Sequence, residues 1–145
     1  MTDVQQGDAL RVSRRISAPR QQVFDAWTDP EVLKRWWKGS PDFETPLAET
    51  DPRTGGAYRL KMKTPAGEIH SVHGEYTEVR PPERLAFTWE WEGVPGVSQV
   101  VVDFLEDGDG TEVVIVHTGL VDPTAREQHE QGWNAVLASL ERELS

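Results

Sequence analysis

Two histidines lie at spacings that could let their side chains take part in ligand binding or proton transfer. His117 follows Val113 and Ile115 at two-residue steps, and His129 precedes Trp133 by about one helical turn. Each pattern would direct the imidazole toward the protein interior. A neutral imidazole offers one donor and one acceptor, and its ordinary pKa of about 6.5 also suits proton transfer. Each histidine can therefore contact a ligand or form a structural hydrogen bond, and the sequence leaves both roles open.

Five tryptophans lie on segments that we expect to face a common interior. They are Trp36, Trp37, Trp89, Trp91 and Trp133. Side chains of this size either fill a core or line a binding site, and both interpretations stay open here. Trp36 and Trp37 are adjacent on a predicted helix, about 100° apart, so we expect one of them at a pocket mouth or on the surface.

The sequence assigns no metal, cofactor or catalytic residue. His70 and His73 are an odd number of residues apart, so a regular strand would direct them to opposite faces. His129-Glu130 lacks the second histidine of the zinc-protease helix. Neither a phosphate-binding glycine loop nor a Gly-x-Ser-x-Gly nucleophile motif is present.

Composition limits the classes of binding partner and the cellular compartment that we expect. The formal net charge of -10 disfavours nucleic acid and anionic lipid surfaces. The absence of cysteine is typical of a reducing compartment and predicts a cytoplasmic protein. Met1–Gly7 is polar, and no apolar run reaches the length of a membrane span, so we expect neither export nor membrane insertion.

Hydrophobic periodicity predicts the elements that would position these residues. The segment 9–17 alternates as a strand, and helix-start signals follow at Ser17-Ala18-Pro19 and at Asp29-Pro30, where Asp29 is the predicted N-cap, with Gly39-Ser40-Pro41 ending the second helix. The segment 43–118 reads as antiparallel strands separated by Gly, Pro and Asp turns. One face of this sheet is apolar, and the amphipathic segment 122–144, with Asp122-Pro123 as its predicted capped start, is the helix expected to cover it. The sequence predicts one α+β domain over residues 1–145, with an ordered core at about residues 9–144.

Motifs spread over most of the chain carry a resemblance to a known family. They include Thr28-Asp29-Pro30 before Trp36-Trp37, Gly55-Gly56-Ala57-Tyr58, Pro81-Pro82-Glu83-Arg84-Leu85, His117-Thr118-Gly119-Leu120 and His129-Glu130-Gln131-Gly132-Trp133. Together they resemble the proteins similar to the C-terminal domain of the activator of the heat-shock protein 90 ATPase, in the START-like (SRPBCC) superfamily. The resemblance implies a helix-grip fold. In that fold a curved antiparallel sheet of about six to seven strands wraps a long C-terminal helix, and two short helices follow the first strand.

The leading functional hypothesis is a module that holds a hydrophobic or aromatic small molecule between the sheet and the C-terminal helix, in a cavity of roughly 300–1,000 Å³. The residues predicted to contact the ligand are Trp36, Trp37, Tyr58, Leu60, Met62, Trp89, Val113, Ile115, His117, His129, Trp133 and Leu137. One alternative is a cyclase- or hydrolase-type enzyme with His117 or His129 as general base. A second alternative, implied by the resemblance, is a chaperone-interacting domain. We expect a monomer or a homodimer.

Overall fold

A single antiparallel sheet forms the frame of the molecule. The computed structural model describes residues 9–120 and 122–144, and the predictions made on Met1–Gly7 lie outside them. Within the described residues, neighbouring strands pair in the order β1-β7-β6-β5-β4-β3-β2. The strands are β1 Leu10–Ile16, β2 Glu44–Thr50, β3 Ala57–Lys63, β4 Ile69–Arg80, β5 Arg84–Trp91, β6 Ser98–Asp107 and β7 Gly110–Thr118.

Two short helices follow β1, and each begins at the proline signal predicted for it. Helix α1 spans Arg20–Thr28 directly after Pro19. Helix α2 spans Pro30–Trp36, and the Asp29 side chain accepts a hydrogen bond from the backbone N–H of Glu31 at 2.9 Å. This N-cap satisfies one of the free amides of the first turn and confirms the predicted role of Asp29.

The chain closes with helix α3, Pro123–Leu144. The Asp122 side chain accepts from the backbone N–H of Thr124 at 3.0 Å, as the predicted Asp-Pro start requires. At 22 residues the helix is roughly 33 Å long, enough to cross several strands. No helix in the described part of the chain is both long and apolar enough to span a bilayer.

The core lies between the inner face of the sheet and α3. On α3 the residues Trp133, Val136, Leu137 and Leu140 are buried at spacings of three and four. On the sheet, alternate residues of β6 and β7 are fully buried, as period-two patterning predicted. The architecture confirms the predicted α+β helix-grip arrangement, with a seven-stranded sheet among the described residues.

Candidate functional site

A cavity of about 360 Å³ lies between α3, the end of α2 and strands β3 and β5. His129 is its one titratable side chain among the described residues, and no lysine, arginine or carboxylate of that part of the chain lines it. The lining residues are Trp37, Gly39, Met62, Trp89, Trp91, Val94, Ala125, Gln128, His129, Gly132, Trp133 and Val136. The cavity therefore offers mainly aromatic and aliphatic surface.

Helical and strand periodicity bring most of this lining together. Ala125, His129, Gly132 and Val136 recur at spacings of three and four, so they form one stripe along α3. Gly132 lies within that stripe, and a Cβ atom built at this glycine meets no heavy atom within 4 Å apart from its chain neighbours and the nearby backbone of α3. The glycine thus leaves open space beside the cavity.

Trp37 lies inside the molecule, contrary to the prediction that it or Trp36 would be at a mouth or on the surface. Trp36 is 0% exposed and Trp37 is 2% exposed. The prediction was wrong because aromatic residues from distant segments cover both directions. The ring centroid of Trp36 lies 5.2 Å from that of Trp27, and the ring centroid of Trp37 lies 5.6 Å from that of Trp133. Both indoles are therefore buried, although the backbone N–H of Trp37 still donates to Leu33 as in the helix.

Tryptophans pack against one another in the core and also line the cavity. The ring centroid of Trp133 lies 4.9 Å from that of Trp89, 5.6 Å from that of Trp37 and 6.4 Å from that of Trp27. Aromatic pairs at these separations pack favourably beyond the area that they bury. The cluster is therefore a packed core on one side and a cavity wall on the other.

His117 is held in a buried hydrogen-bonded chain and does not line the cavity. Trp133 Nε1 donates to His117 Nδ1 at 3.0 Å, which assigns the imidazole proton to Nε2. His117 Nε2 lies 2.7 Å from Ser98 Oγ, and that hydroxyl donates to the backbone oxygen of Trp89 at 3.3 Å. Burial, with a smaller contribution from the nearby His129, lowers the pKa of His117 to about 3. His117 is therefore a neutral imidazole that fixes the position of Trp133.

His129 lies on the cavity wall, and both of its ring nitrogens also have partners. Trp91 Nε1 donates to His129 Nε2 at 2.9 Å, so the proton resides on Nδ1, which lies 2.7 Å from the backbone oxygen of Ala125. The ring centroids of His129 and His117 are 5.1 Å apart at an interplanar angle of 87°. The imidazole of His129 thus braces Trp91 against α3 and presents its ring to the cavity.

A much smaller cavity of about 20 Å³ adjoins the first. Trp37 and Trp89 line both spaces, so their indoles form the partition between them. Tyr58 and Leu60 line the smaller one. The Tyr58 hydroxyl donates to the backbone oxygen of Thr88 at 2.6 Å, and burial raises the pKa of this phenol, which is therefore neutral.

The structure separates the twelve predicted contact residues into three groups. Trp37, Met62, Trp89, His129 and Trp133 line the larger cavity, and Tyr58 and Leu60 line the smaller one together with Trp37 and Trp89. Outside both linings lie five buried residues: Trp36, Val113, Ile115, His117 and Leu137.

Several lining residues were not among those predicted. Gly132 and Val136 share the helical stripe of His129, so extending that stripe by one and by two turns toward the C-terminus could have found them. Val94 belongs to the β5–β6 loop, where neither helical nor strand periodicity indicates which side chain faces the interior. Among the described residues no group of His, Asp and Glu could hold a metal ion.

Sequence and structure comparisons assign the chain to a family. Residues 17–145 match the family described as activator of Hsp90 ATPase homolog 1-like protein. The chain belongs to this family. A protein from Chromobacterium violaceum with a crystal structure is 30% identical, with a TM-score of 0.86 over 94% of this chain and 96% of that one.

Two further solved structures carry the family's designation. The AHSA1 protein from Silicibacter pomeroyi is 26% identical, with a TM-score of 0.83 over 94% of this chain and 96% of that one. The AHSA1-like protein from Aeromonas hydrophila is 27% identical, with a TM-score of 0.76 over 92% of this chain and 91% of that one. No match was found among curated proteins.

Proposed function

We propose that this AHSA1-like protein is a small-molecule-binding module whose ligand is neutral, largely apolar and held in the 360 Å³ cavity. The observation that carries the proposal is that a cavity of this size remains unfilled by side chains beside a cluster of buried tryptophans. Its volume falls in the range of sites that bury drug-sized ligands, which is roughly 300–1,000 Å³. In this proposal the protein works in the cytoplasm, as its cysteine-free sequence predicts.

The charge distribution favours a neutral ligand. The formal net charge of -10 resides on side chains outside the cavity lining, and among the described residues the lining carries neither a cation nor a carboxylate. Burying an ionised ligand there would remove its hydration without supplying a counter-charge. Apolar contact with aromatic rings is then the main source of affinity.

Geometry gives less support to a catalytic use of the histidines. His117 is fully buried outside the cavity lining, with partners at both ring nitrogens. His129 faces the cavity, yet its Nε2 already accepts from Trp91. A general base needs a free acceptor within hydrogen-bond reach of the substrate proton, which would require Trp91 to release His129.

A rim variant tests the proposal without disturbing the core. Val94 and Val97 lie on the same loop, with exposures of 58% and 59%, but Val94 lines the cavity and Val97 does not. Titration with the neutral fluorophore N-phenylnaphthylamine should show saturable binding that Val94→Asp weakens about fivefold, which corresponds to about 1 kcal/mol of lost apolar contact. Val97→Asp is the matched control and should bind as the wild type does.

Two outcomes would contradict the proposal. One is that this probe shows no saturable binding and that native mass spectrometry of gently purified protein finds no retained small molecule. The other is equal weakening by Val94→Asp and Val97→Asp, because a surface charge effect would then explain the change.

A further inference from the structure

The tryptophans differ in how their indole N–H groups are satisfied. Trp36 donates to the backbone oxygen of Ala26 at 3.0 Å, while Trp91 and Trp133 donate to the two histidines. The Nε1 atoms of Trp27, Trp37 and Trp89 are buried and have no acceptor among the described residues. Buried polar groups in folded proteins nearly always have a partner, so these three donors call for an explanation.

The unsatisfied donors belong to residues that surround one place. Trp27, Trp37 and Trp89 all line the 20 Å³ cavity, and all three are at least nine-tenths buried. A volume of about 20 Å³ suits one oxygen-sized group rather than a whole ligand. Trp37 and Trp89 also line the larger cavity, so a group bound between them adjoins any molecule held there.

We propose that the ligand carries a neutral hydrogen-bond acceptor, of the carbonyl class, which accepts from the indole N–H groups of Trp37 and Trp89. This inference rests on the proposed function and adds a polar requirement to it. An acceptor is required because the free groups are donors, and an indole nitrogen cannot accept. A carboxylate is disfavoured because, among the described residues, no lysine or arginine lines either cavity.

The acceptor should be recognised by geometry as well as by chemistry. The ring centroids of Trp37 and Trp89 are 6.1 Å apart and tilted by 50°, so the two indoles form a wedge at the partition. A planar aromatic ketone can place its rings against Trp133 and Met62 while its oxygen lies toward that wedge. The corresponding hydrocarbon fills the same space and leaves the donors unpaired.

A matched pair of ligands tests the inference. Fluorene and fluorenone share one ring frame and differ by the exchange of a methylene for a carbonyl. Fluorenone should bind the wild-type protein about tenfold more tightly, as expected of one or two hydrogen bonds made to buried donors. The carbonyl stretching band of bound fluorenone should lie at lower frequency than in hexane.

An isosteric replacement assigns the effect to individual indoles. Benzothienylalanine replaces the indole N–H by sulfur and keeps the ring shape, so the core stays filled. At Trp37 or Trp89 it should reduce the fluorenone preference toward one and return the carbonyl band toward its position in hexane. At Trp36, which lies outside both linings and has its own acceptor, it should change neither quantity.

The outcomes separate this inference from the proposed function. Equal affinities for fluorene and fluorenone, with an unshifted carbonyl band, would leave ligand binding intact and overturn the acceptor requirement, as expected if a water molecule satisfies the donors. A preference that survives replacement at both Trp37 and Trp89 would also overturn it. If neither compound binds and N-phenylnaphthylamine does not bind, the proposed function itself fails.

Discussion

Filling the cavity from the helix side should weaken ligand binding by at least about tenfold without a cost in stability. Gly132 lies inside α3 and lines the cavity, and a Cβ placed on it meets no heavy atom within 4 Å apart from its chain neighbours and the nearby helix backbone. In Gly132→Leu the added side chain would enter this space. Replacing a glycine in the interior of a helix raises the free energy of unfolding by about 0.8–1.0 kcal/mol. Partial burial of the leucine adds to this, so we expect a free energy of unfolding about 1–2 kcal/mol above that of the wild type.

Two companion variants separate the contributions. Gly132→Ala changes helix propensity with little added volume, so it should gain about 0.8–1.0 kcal/mol and still bind N-phenylnaphthylamine. Gln131→Leu adds the same side chain on the exposed neighbouring position and should bind as the wild type does. Urea unfolding gives the stabilities, and fluorescence titration gives the affinities.

The expected pattern for Gly132→Leu is at least about tenfold weaker binding in a protein that is more stable than the wild type, a loss of about 1.4 kcal/mol or more in binding free energy. Unchanged affinity in a folded Gly132→Leu protein would refute the reasoning, because the ligand would then lie elsewhere. A loss of stability greater than about 1 kcal/mol would show that the space beside Gly132 is not open.

Three further predictions concern the elements that support the site. The pKa of His117 is about 3 in the folded protein and about 6.5 in the unfolded chain, so the unfolded state binds more protons between these pH values. The free energy of unfolding should therefore fall by up to about 1.4 kcal/mol per pH unit as the pH drops from 6.5 toward 3. Urea unfolding at several pH values should show a weaker dependence of this free energy on pH in His117→Gln. Ser98→Ala removes the acceptor of the His117 Nε2–H group and should cost about 1–3 kcal/mol in urea unfolding, whereas a cost below about 0.5 kcal/mol would contradict the assigned hydrogen bond. A Cβ at Gly74 would lie 2.1 Å from the backbone oxygen of Thr88, so Gly74→Ala should lower the thermal midpoint far more than Gly39→Ala, whose nearest contact is 3.8 Å; similar midpoints would contradict the close approach of β4 and β5.

Much of the fold was predictable because its signals are local. Alternation in strands, proline at helix starts and the apolar stripe of α3 each depend on residues a few positions apart. Asp29 and Asp122 cap their helices as the sequence indicated. These features required no knowledge of which strands pair.

The site was less predictable because its contacts join distant segments. The hydrogen bonds that join Trp133, His117 and Ser98 link α3, β7 and β6. Nothing local in the sequence indicates that an indole and a hydroxyl would be the hydrogen-bond partners of His117. The burial of Trp37 depends on its packing against Trp89 and Trp133 from distant segments, which the helical pattern cannot show. Periodicity assigns a face to each residue, but it does not say which buried residues border a space.

The central claim is that a neutral ligand occupies the cavity between α3 and the sheet, and intermolecular NOEs test it most directly. With methyl-labelled protein and N-phenylnaphthylamine, the account predicts NOEs from the probe to the methyl groups of Met62 and Val136, which line the cavity. It predicts none to Val113 and Ile115, which are buried outside it. A bound probe that gives no NOE to Met62 and Val136 would contradict the account.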